Sequence, residues 1–172
     1  MKRINDLQEI QTPFDKAVIT IGNFDGVHIG HQALFHQTIE KALAIGGTSL
    51  AMTFEPHPAR VLGDSKGPPL ITLHEQKMEL ISRTGLDAAI CVPFTEEFAR
   101  ISPEAFVEDL LVKKIGMKAI VVGEDYSYGS GQQGNLDSLR ADGARLDFDV
   151  VLVPSVKFSP TDTGRISSTL IR

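Results

Sequence analysis

Short apolar runs alternate along the chain with longer segments whose apolar residues recur at helical spacing, and this alternation limits the possible folds more than any other feature. The short runs are rich in β-branched residues and apolar at consecutive positions, which is typical of strands covered on both faces. Five runs are predicted as strands: Ala17 to Ile21, Ser49 to Phe54, Ala88 to Val92, Ala119 to Val122 and Val150 to Val153. The alternation therefore predicts an α/β fold, a doubly wound parallel sheet of about five strands.

Helical spacing is clearest between the first two predicted strands, from Leu34 to Leu43, and again from Phe106 to Ile115. The second of these helices has Ser102 as its cap and Gly116 as its terminator. Weaker helical patterns cover roughly His74 to Thr84 and Leu136 to Ala141. Loops follow three of the strands, and ligands of open parallel sheets bind outside the carboxyl ends of the strands.

The chain has 172 residues, a length that fits one domain spanning residues 1–172. Its 17 Lys and Arg against 22 Asp and Glu give a formal charge of -5, so no broad positive field is available for a nucleic-acid backbone. A phosphate-bearing ligand must then be held by a local site. The composition favours a small-molecule ligand and argues against nucleic-acid binding.

Cysteine usage and hydropathy bear on the compartment. The single cysteine, Cys91, lies in an apolar run and is predicted to be a buried thiol in a reducing compartment. No apolar run approaches the ~18 residues of a membrane span, and the first ten residues lack the apolar core of a signal peptide. We therefore expect a cytoplasmic protein without membrane contact.

The first predicted strand runs directly into Gly22-Asn23-Phe24-Asp25-Gly26-Val27-His28-Ile29-Gly30-His31, a glycine-rich turn that opens a helix. A helix N-terminus offers unpaired N–H groups to a phosphate, and Gly30 permits a close approach of that phosphate to the backbone. His28 and His31 add directional donors. Two alternatives stay open at this point: one histidine caps the helix while the other is exposed, or the pair binds zinc, for which further ligands at supporting spacing are missing.

Three further segments carry candidate site residues. Phe54-Glu55-Pro56-His57-Pro58 is stiffened by two X-Pro steps and could equally be a rigid turn. Gly123 to Gly134 contains Asp125, Tyr126 and Tyr128, and the two tyrosines either present one aromatic face or pack beneath the loop. Arg165-Ile166-Ser167-Ser168-Thr169-Leu170-Ile171-Arg172 offers hydroxyls and guanidinium groups that bind phosphate oxygens or merely cap a helix.

Together the four segments resemble the HIGH-motif nucleotidylyltransferases, and most closely the FMN adenylyltransferase (FAD synthetase) module of bacterial bifunctional riboflavin kinase/FAD synthetase. GNFDGVHIGH is similar to the G-x-F-D-x-x-H-x-G-H signature, FEPHP to F-x-P-H-P, GEDYSYG to G-x-D-F-x-F-G, and RISSTLIR to R-x-S-S-T-x-I-R. Two tyrosines stand where the family has phenylalanines. The resemblance covers essentially the whole chain and implies a Rossmann-like fold.

The resemblance implies transfer of AMP from ATP to FMN, giving FAD and pyrophosphate, with Mg²⁺ bound alongside ATP. It implies that His28, His31, Ser168 and Arg172 are catalytic. The residues that would bind ATP and its phosphates are Gly22, Asn23, Phe24, Asp25, Gly26, Gly30, Asp125, Arg165, Ser167 and Thr169. Those that would border the flavin are Pro56, His57, Pro58, Tyr126 and Tyr128, and no dedicated protein metal site is expected.

In the resembled family a helix and a riboflavin kinase domain follow the last motif. Three residues follow Thr169 in this chain, which predicts no stable helical turn there and suggests an excised module. Two rival functions remain: another small-molecule nucleotidylyltransferase, of the nicotinate mononucleotide or phosphopantetheine type, and a flavin- or nucleotide-binding module without turnover.

Overall fold

A computed structural model describes residues 1–63, 67–156 and 166–172 of the chain. Its strands form one six-stranded sheet with the order β1-β4-β3-β2-β5-β6, and all neighbours in the sheet are parallel. The strands are β1 (Lys2–Ile4), β2 (Ala17–Ile21), β3 (Ser49–Glu55), β4 (Ala88–Pro93), β5 (Met117–Gly123) and β6 (Asp149–Val153). The parallel α/β sheet is confirmed, and all five predicted strands are present within about two residues of their expected bounds.

The expectation of about five strands missed β1. This strand has three residues, and only Ile4 is buried. It pairs with β4 at the edge of the sheet, with Lys2 opposite Ala88. Because charged residues fill the other two positions, as is common on edge strands, the segment has no continuous apolar signal.

Helices cover both faces of the sheet. They are α1 (Ile29–Ile45), α2 (Pro58–Leu62), α3 (His74–Ser82), α4 (Glu96–Ala99), α5 (Pro103–Ala105), α6 (Leu136–Leu146) and α7 (Ser168–Ile171). The predicted helix over Phe106 to Ile115 is present but is wound as a π-helix that continues from α5. Ser102 caps α5 and Gly116, at φ 84°, ends the π-helix, as predicted. No helix of the described ranges is long and apolar enough to cross a membrane.

The core divides between the two faces of the sheet. On one face the π-helix and α6 pack against apolar side chains of β2, β3, β4 and β5. On the other face α1 and α3 cover Ala51, Ala89 and Cys91, and Cys91 is a buried free thiol as predicted. Both faces of β2 and β5 are therefore dry, which explains their continuous apolar sequences.

The direction of winding reverses at β2. From β2 the chain builds β3 and then β4 on one side, and β5 and then β6 on the other. The connection that follows β2 leads to β3 and the connection that follows β5 leads to β6, so the two connections run in opposite directions along the sheet. A crevice opens at such a switch point, and both the Gly22–His31 turn and the Asp125 loop begin there.

Candidate functional site

The turn that links β2 to α1 has an unusual backbone. Phe24 and Val27 adopt positive φ angles of 49° and 42°, and Gly26 has φ 82°. Positive φ is disfavoured for aromatic and β-branched residues, so this loop stores conformational strain that the surrounding bonds must hold. The phenyl ring of Phe24 is fully buried and packs edge-on against Phe35 at a centroid distance of 4.7 Å. Phe24 therefore anchors the turn from below.

His28 and His31 stand at the start of α1 with their imidazole rings stacked. The ring centroids are 3.5 Å apart and the planes meet at 22°. His28 occupies the N-cap position, yet its side chain makes no capping hydrogen bond, and neither histidine is exposed, so the alternative of a capping and an exposed histidine is wrong. A Cβ atom at Gly30 would lie 3.2 Å from the His28 ring, so the glycine makes room for the stacked pair.

Burial lowers the pKa of both imidazoles. Burial lowers the pKa of His31 to about 3, and the adjacent His28 adds to the effect against the opposing charge of Asp25. Burial also lowers the pKa of His28, although a backbone hydrogen bond and Asp25 oppose it. The buried Nδ1 atoms of both rings have no hydrogen-bond partner among the residues that the structure describes. The ligand-free protein thus presents two neutral imidazoles with unused polar atoms.

Asp25 has its hydrogen-bond partners in residues 71 and 72 and at the C-terminal end of the chain. The residue is 3% exposed, and its carboxylate accepts hydrogen bonds from the backbone N–H groups of Ile71 and Thr72 at 2.9 to 3.1 Å. The Thr72 hydroxyl and Arg172 Nη2 also donate to it, at 3.1 and 2.6 Å. Burial alone would raise the pKa of Asp25, but these bonds outweigh burial and hold the pKa below its usual value. The sequence predicts that Asp25 binds ATP or its phosphates, and in the structure its carboxylate ties the Gly22–His31 turn to residues 71 and 72.

The C-terminal segment returns to this same turn. Ser167 caps α7 by accepting from Leu170 N, so the expectation that no helical turn would form after Thr169 is wrong: the turn starts at Ser168 and its first N–H groups are capped. Ser168 Oγ donates to the Asp25 carbonyl at 2.9 Å, and Arg172 Nε donates to Pro69 O at 2.6 Å. Thr169 is exposed, and Arg165 lies outside the described residues.

A cavity of about 240 Å³, which we call the histidine cavity, lies above the carboxyl ends of β2, β5 and β6. It gathers predicted residues from three separate segments and brings the histidine pair opposite the capped start of α7. Its lining includes Gly22, Phe24, His28, Gly30, His31, Asp125, Tyr126, Ser155, Ser167 and Ser168. Sequence reasoning did not select Ser155, whose N–H and hydroxyl both bond to the Glu124 carboxylate.

A second cavity of about 600 Å³, which we call the aromatic cavity, adjoins the first and shares Ile21, Gly22, Asp125 and Tyr126 with it. Three phenylalanines, Phe54, Phe94 and Phe98, pack on one another here with ring centroids 5.5 to 5.9 Å apart. The volume lies within the ~300–1,000 Å³ usual for small-molecule sites. The other lining residues are Asn23, Pro58, Leu62, Ala99, Ile101, Phe106, Ser127, Tyr128, Gly129, Gly131 and Gln132.

The two tyrosines have different environments. Tyr128 is 5% exposed, bonds through its hydroxyl to Ser138 Oγ at 3.1 Å and packs in the core. Tyr126 stacks on Tyr128 at 5.7 Å and lines both cavities. Burial raises the pKa of each phenol, so both stay neutral at ordinary pH. The sequence could not tell the two apart: in the structure Tyr126 lines both cavities, whereas Tyr128 lines only the aromatic cavity and is also part of the buried core.

Of the Pro56-His57-Pro58 segment, only Pro58 lines the aromatic cavity. His57 caps α2, because its Nδ1 accepts from Ala59 N at 3.2 Å. Burial lowers the pKa of His57, and the positive charge of Arg172 lowers it further. The segment therefore supports the cavity edge, while Phe94 and Phe98 form the wall that sequence reasoning missed. Their spacing of four residues after a buried strand was the available signal.

A third and larger cavity, about 940 Å³, lies on the other side of His28 between α1, α3 and α7. It shares His28 and Ile166 with the histidine cavity but includes nothing from the loop after β5. Its rim carries the exposed apolar side chains of Ile29, Leu170 and Ile171. We therefore assign the candidate site to the two smaller cavities, where the switch point and the predicted residues coincide.

Comparison with known proteins agrees with this geometry. A profile of the FAD synthetase family matches residues 10–170. The chain is 35% identical to the bifunctional riboflavin kinase/FMN adenylyltransferase of Escherichia coli (strain K12), over all of this chain and 54% of that protein. It is 38% identical to the protein of the same name from Listeria monocytogenes, over 90% of this chain and 48% of that one. The chain thus spans about half the length of these relatives.

The fold agrees as well. A crystal structure described as a macrolide-efflux protein from Streptococcus pneumoniae superposes with a TM-score of 0.82 at 29% identity, covering 98% of this chain and 53% of that one. That similarity extends over the arrangement of strands and helices described above. Because a family profile matches nearly the whole chain and the relatives align with all or most of it, the chain belongs to the FAD synthetase family.

Proposed function

We propose that residues 1–172 act as an FMN adenylyltransferase domain that joins ATP and FMN into FAD and pyrophosphate. The observation that carries the proposal is the contact between two chemically different cavities at the switch point. One is lined by the histidine pair and the start of α1, and the other by aromatic rings. The first cavity would bind phosphate groups and the second would bind a flat ring system, so the reacting phosphates would lie at the boundary that the two cavities share.

The reaction requires little proton transfer by the protein. An oxygen of the FMN phosphate forms a bond to the α-phosphorus of ATP, and the bond from that phosphorus to the oxygen bridging to the β-phosphate breaks. A phosphate monoester loses its second proton near pH ~6, so the nucleophile is already ionised at pH 7. Catalysis then depends on alignment of the two substrates and on neutralisation of the charge that develops on pyrophosphate.

His28 and His31 would donate hydrogen bonds to the phosphate oxygens that gain charge. Their lowered pKa in the ligand-free chain means that polyphosphate binding has to supply the anionic partner that favours protonation. The N–H groups at the start of α1 and the Gly22–Gly26 turn add fixed donors at the same place. The strained turn would be preorganised, since Asp25 and Thr72 already hold it.

The C-terminal segment would close the phosphate site from the opposite side. Ser167 and Ser168 line the histidine cavity, whereas Thr169 and Arg172 do not. Arg172 bonds to Pro69 and Asp25 through Nε and Nη2, which uses two of the five N–H groups of its guanidinium, so contact with a phosphate through another N–H would keep both bonds. Asp125 lies between the two cavities and is well placed to meet the nucleotide ribose.

Mg²⁺ is proposed to enter with ATP. Among the described residues no group of three or more His, Cys, Asp or Glu side chains could hold a metal ion. The proposed ion would be held chiefly by phosphate oxygens and water. The ion would neutralise phosphate charge, and the histidines and helix N-terminus would orient the phosphates around it.

Flavin is assigned to the aromatic cavity. Phe54, Phe94, Phe98 and Tyr126 offer ring faces and edges, and the isoalloxazine system is large, flat and apolar enough to stack among them. Pro58 borders the opening. Pro56, His57 and Tyr128 would then act by holding this wall in place. The aromatic wall favours FMN over nicotinate mononucleotide, whose ring is smaller, and over phosphopantetheine, whose pantetheine chain is flexible.

The wider context is proposed from the relatives' names. The relatives' names combine a riboflavin kinase with an FMN adenylyltransferase, and we propose that residues 1–172 supply the second activity. A cytoplasmic location and the absence of nucleic-acid binding stay predictions from the single cysteine and the net charge.

The decisive assay incubates the purified chain with FMN, ATP and Mg²⁺ and follows FAD by chromatography and pyrophosphate by a coupled reaction. FAD and pyrophosphate in equal amounts are the expected result. Nicotinate mononucleotide and phosphopantetheine are tested in parallel as acceptors, and riboflavin replaces FMN as the negative control. Turnover of another acceptor in place of FMN would overturn the proposal, and tight FMN or ATP binding without pyrophosphate release would favour the binding-module alternative.

A further inference from the structure

Lys77, on α3, lies outside all four motifs, and the proposed reaction does not use it. Its side chain is buried, with 6% of the residue exposed. The ammonium group donates to Thr53 Oγ1 at 3.0 Å, to Phe54 O at 3.2 Å and to Asn23 O at 3.4 Å. An unpaired buried ammonium is costly, and here each of its three N–H groups has an acceptor.

The acceptors belong to both walls of the candidate site. Asn23 follows β2 in the turn that leads to the histidines, whereas Thr53 and Phe54 end β3. Thr53 Oγ1 also donates to the Asn23 carbonyl, at 3.1 Å. Lys77 and Thr53 thus form a closed set of bonds that fixes the Asn23 backbone relative to the end of β3, where the Phe54 ring lines the aromatic cavity.

The charges around the ammonium are mixed. Burial lowers the pKa of Lys77, while Cys91, Glu55 and Asp25 oppose that effect. His57, also close by, has its pKa lowered in part by Lys77. Lys77 lines neither cavity, so it can affect them only through the backbone segments to which it is hydrogen-bonded.

We propose that Lys77 is a positioning residue for adenylyl transfer, which holds the Gly22–His28 turn against the end of β3 so that the flavin phosphate and the α-phosphate of ATP meet in line. The proposal rests on the proposed function. In-line attack tolerates little displacement, and misplacement by about 1 Å costs about 10²-fold in rate.

Three variants test the assignment. Lys77→Met removes the donors while keeping a long apolar stem, and Thr53→Val removes the bridging hydroxyl at nearly constant shape. Lys118→Met, which breaks only an exposed ion pair with Asp147, serves as the matched control. Each variant is characterised by kcat for FAD formation, by equilibrium titration of FMN and ATP, and by hydrogen exchange of the backbone N–H groups in the 22–28 segment.

Lys77→Met is expected to lower kcat by about 10²-fold while the Kd values for FMN and ATP stay within about 3-fold of wild type. Thr53→Val is expected to lower kcat by roughly 5-fold, the size of one hydrogen bond. Exchange should accelerate in residues 22–28 and not across the rest of the sheet. If Lys77→Met does not fold, Thr53→Val decides alone.

Unchanged kcat in folded Lys77→Met, or in Thr53→Val where that variant decides alone, would overturn the assignment. So would weakened binding that accounts for the whole loss, or exchange that accelerates everywhere, because a general loss of stability would then suffice. Should the wild-type chain make no FAD, the adenylyltransferase proposal fails first. Hydrogen exchange alone then decides whether Lys77 positions the turn. Faster exchange in residues 22–28 of Lys77→Met but not of Lys118→Met supports that role, and unchanged exchange in Lys77→Met refutes it.

Discussion

The histidine cavity and the aromatic cavity touch, yet they are built in opposite ways. One wall of the histidine cavity comes from ten consecutive residues, Gly22 to His31, held by backbone geometry, buried polar bonds and an ion pair. The aromatic cavity is assembled from single side chains on β3, α2, α4, the π-helix and the loop after β5. A local motif shapes the first, and tertiary packing of distant segments shapes the second.

This difference predicts different responses to substitution. A polar, preorganised wall should respond to the loss of one donor with a large change in turnover and little change in binding. A wall of packed rings should respond to truncation with weaker binding or lower stability. Substitutions in the two walls should therefore be distinguishable by whether turnover, binding or stability changes.

The largest effect is expected at the histidine pair. His28→Ala or His31→Ala should lower kcat by about 10²-fold or more, because each removes a donor aimed at the leaving phosphates. His36→Ala is the matched control, since His36 is exposed and pairs only with Glu40 on the surface of α1. Steady-state FAD formation is the measurement. Near-wild-type turnover in both site variants would remove the histidine cavity from the chemistry.

The next effect tests the ionic frame of the same wall. Asp25→Asn keeps the shape of the side chain but discharges the partner of Arg172 and weakens four further hydrogen bonds. We expect a loss of about 2 kcal/mol in the free energy of unfolding, the scale of a hydrogen bond to a charged group. Urea denaturation measures it. Asp137→Asn, on an exposed carboxylate, should leave the unfolding free energy nearly unchanged.

The residues tested in these two experiments differ in how well the sequence predicted their surroundings. The Gly22–His31 turn was recognisable because its residues are consecutive, and the parallel sheet because its strands are continuous apolar runs. The partners of Asp25 at residues 71 and 72 are 46 and 47 positions away, and no local pattern announces them. Lys77 was missed for the same reason, whereas Phe94 and Phe98 had a local signal in their spacing of four residues that was not interpreted as part of a site. Strand β1 was missed because two of its three residues are charged.

A smaller effect separates the two tyrosines. Tyr126→Ala should weaken FMN binding by roughly 10-fold, the upper range for one aromatic contact, because Tyr126 lines both cavities. Tyr128→Phe removes only the hydroxyl that bonds to Ser138, so it should leave FMN binding unchanged and cost about 1 kcal/mol of stability. Flavin fluorescence titration and urea denaturation measure the two quantities. Equal losses of FMN affinity in both variants would erase the distinction between them.

The last effect concerns acid stability, where His31 couples the histidine cavity to folding. An unfolded histidine binds a proton near pH ~6.5, whereas burial holds the pKa of folded His31 at about 3. Between these values the unfolded chain binds more protons, so the free energy of unfolding falls as the pH falls. One such group contributes up to about 1.4 kcal/mol per pH unit.

His28 and His57, whose pKa values are also lowered, act in the same direction. His31→Gln should therefore flatten the dependence between pH 7 and pH 5, but only by the share of one group. Urea denaturation at several pH values, with His36→Gln as the control, measures that share. Because MgATP would raise the pKa of the pair on binding, saturating ligand should flatten the wild-type curve as well. An unchanged slope in His31→Gln would mean that the pKa of His31 in the folded chain is close to that of an unfolded histidine, and protonation of the imidazole near neutral pH would then not require a bound phosphate.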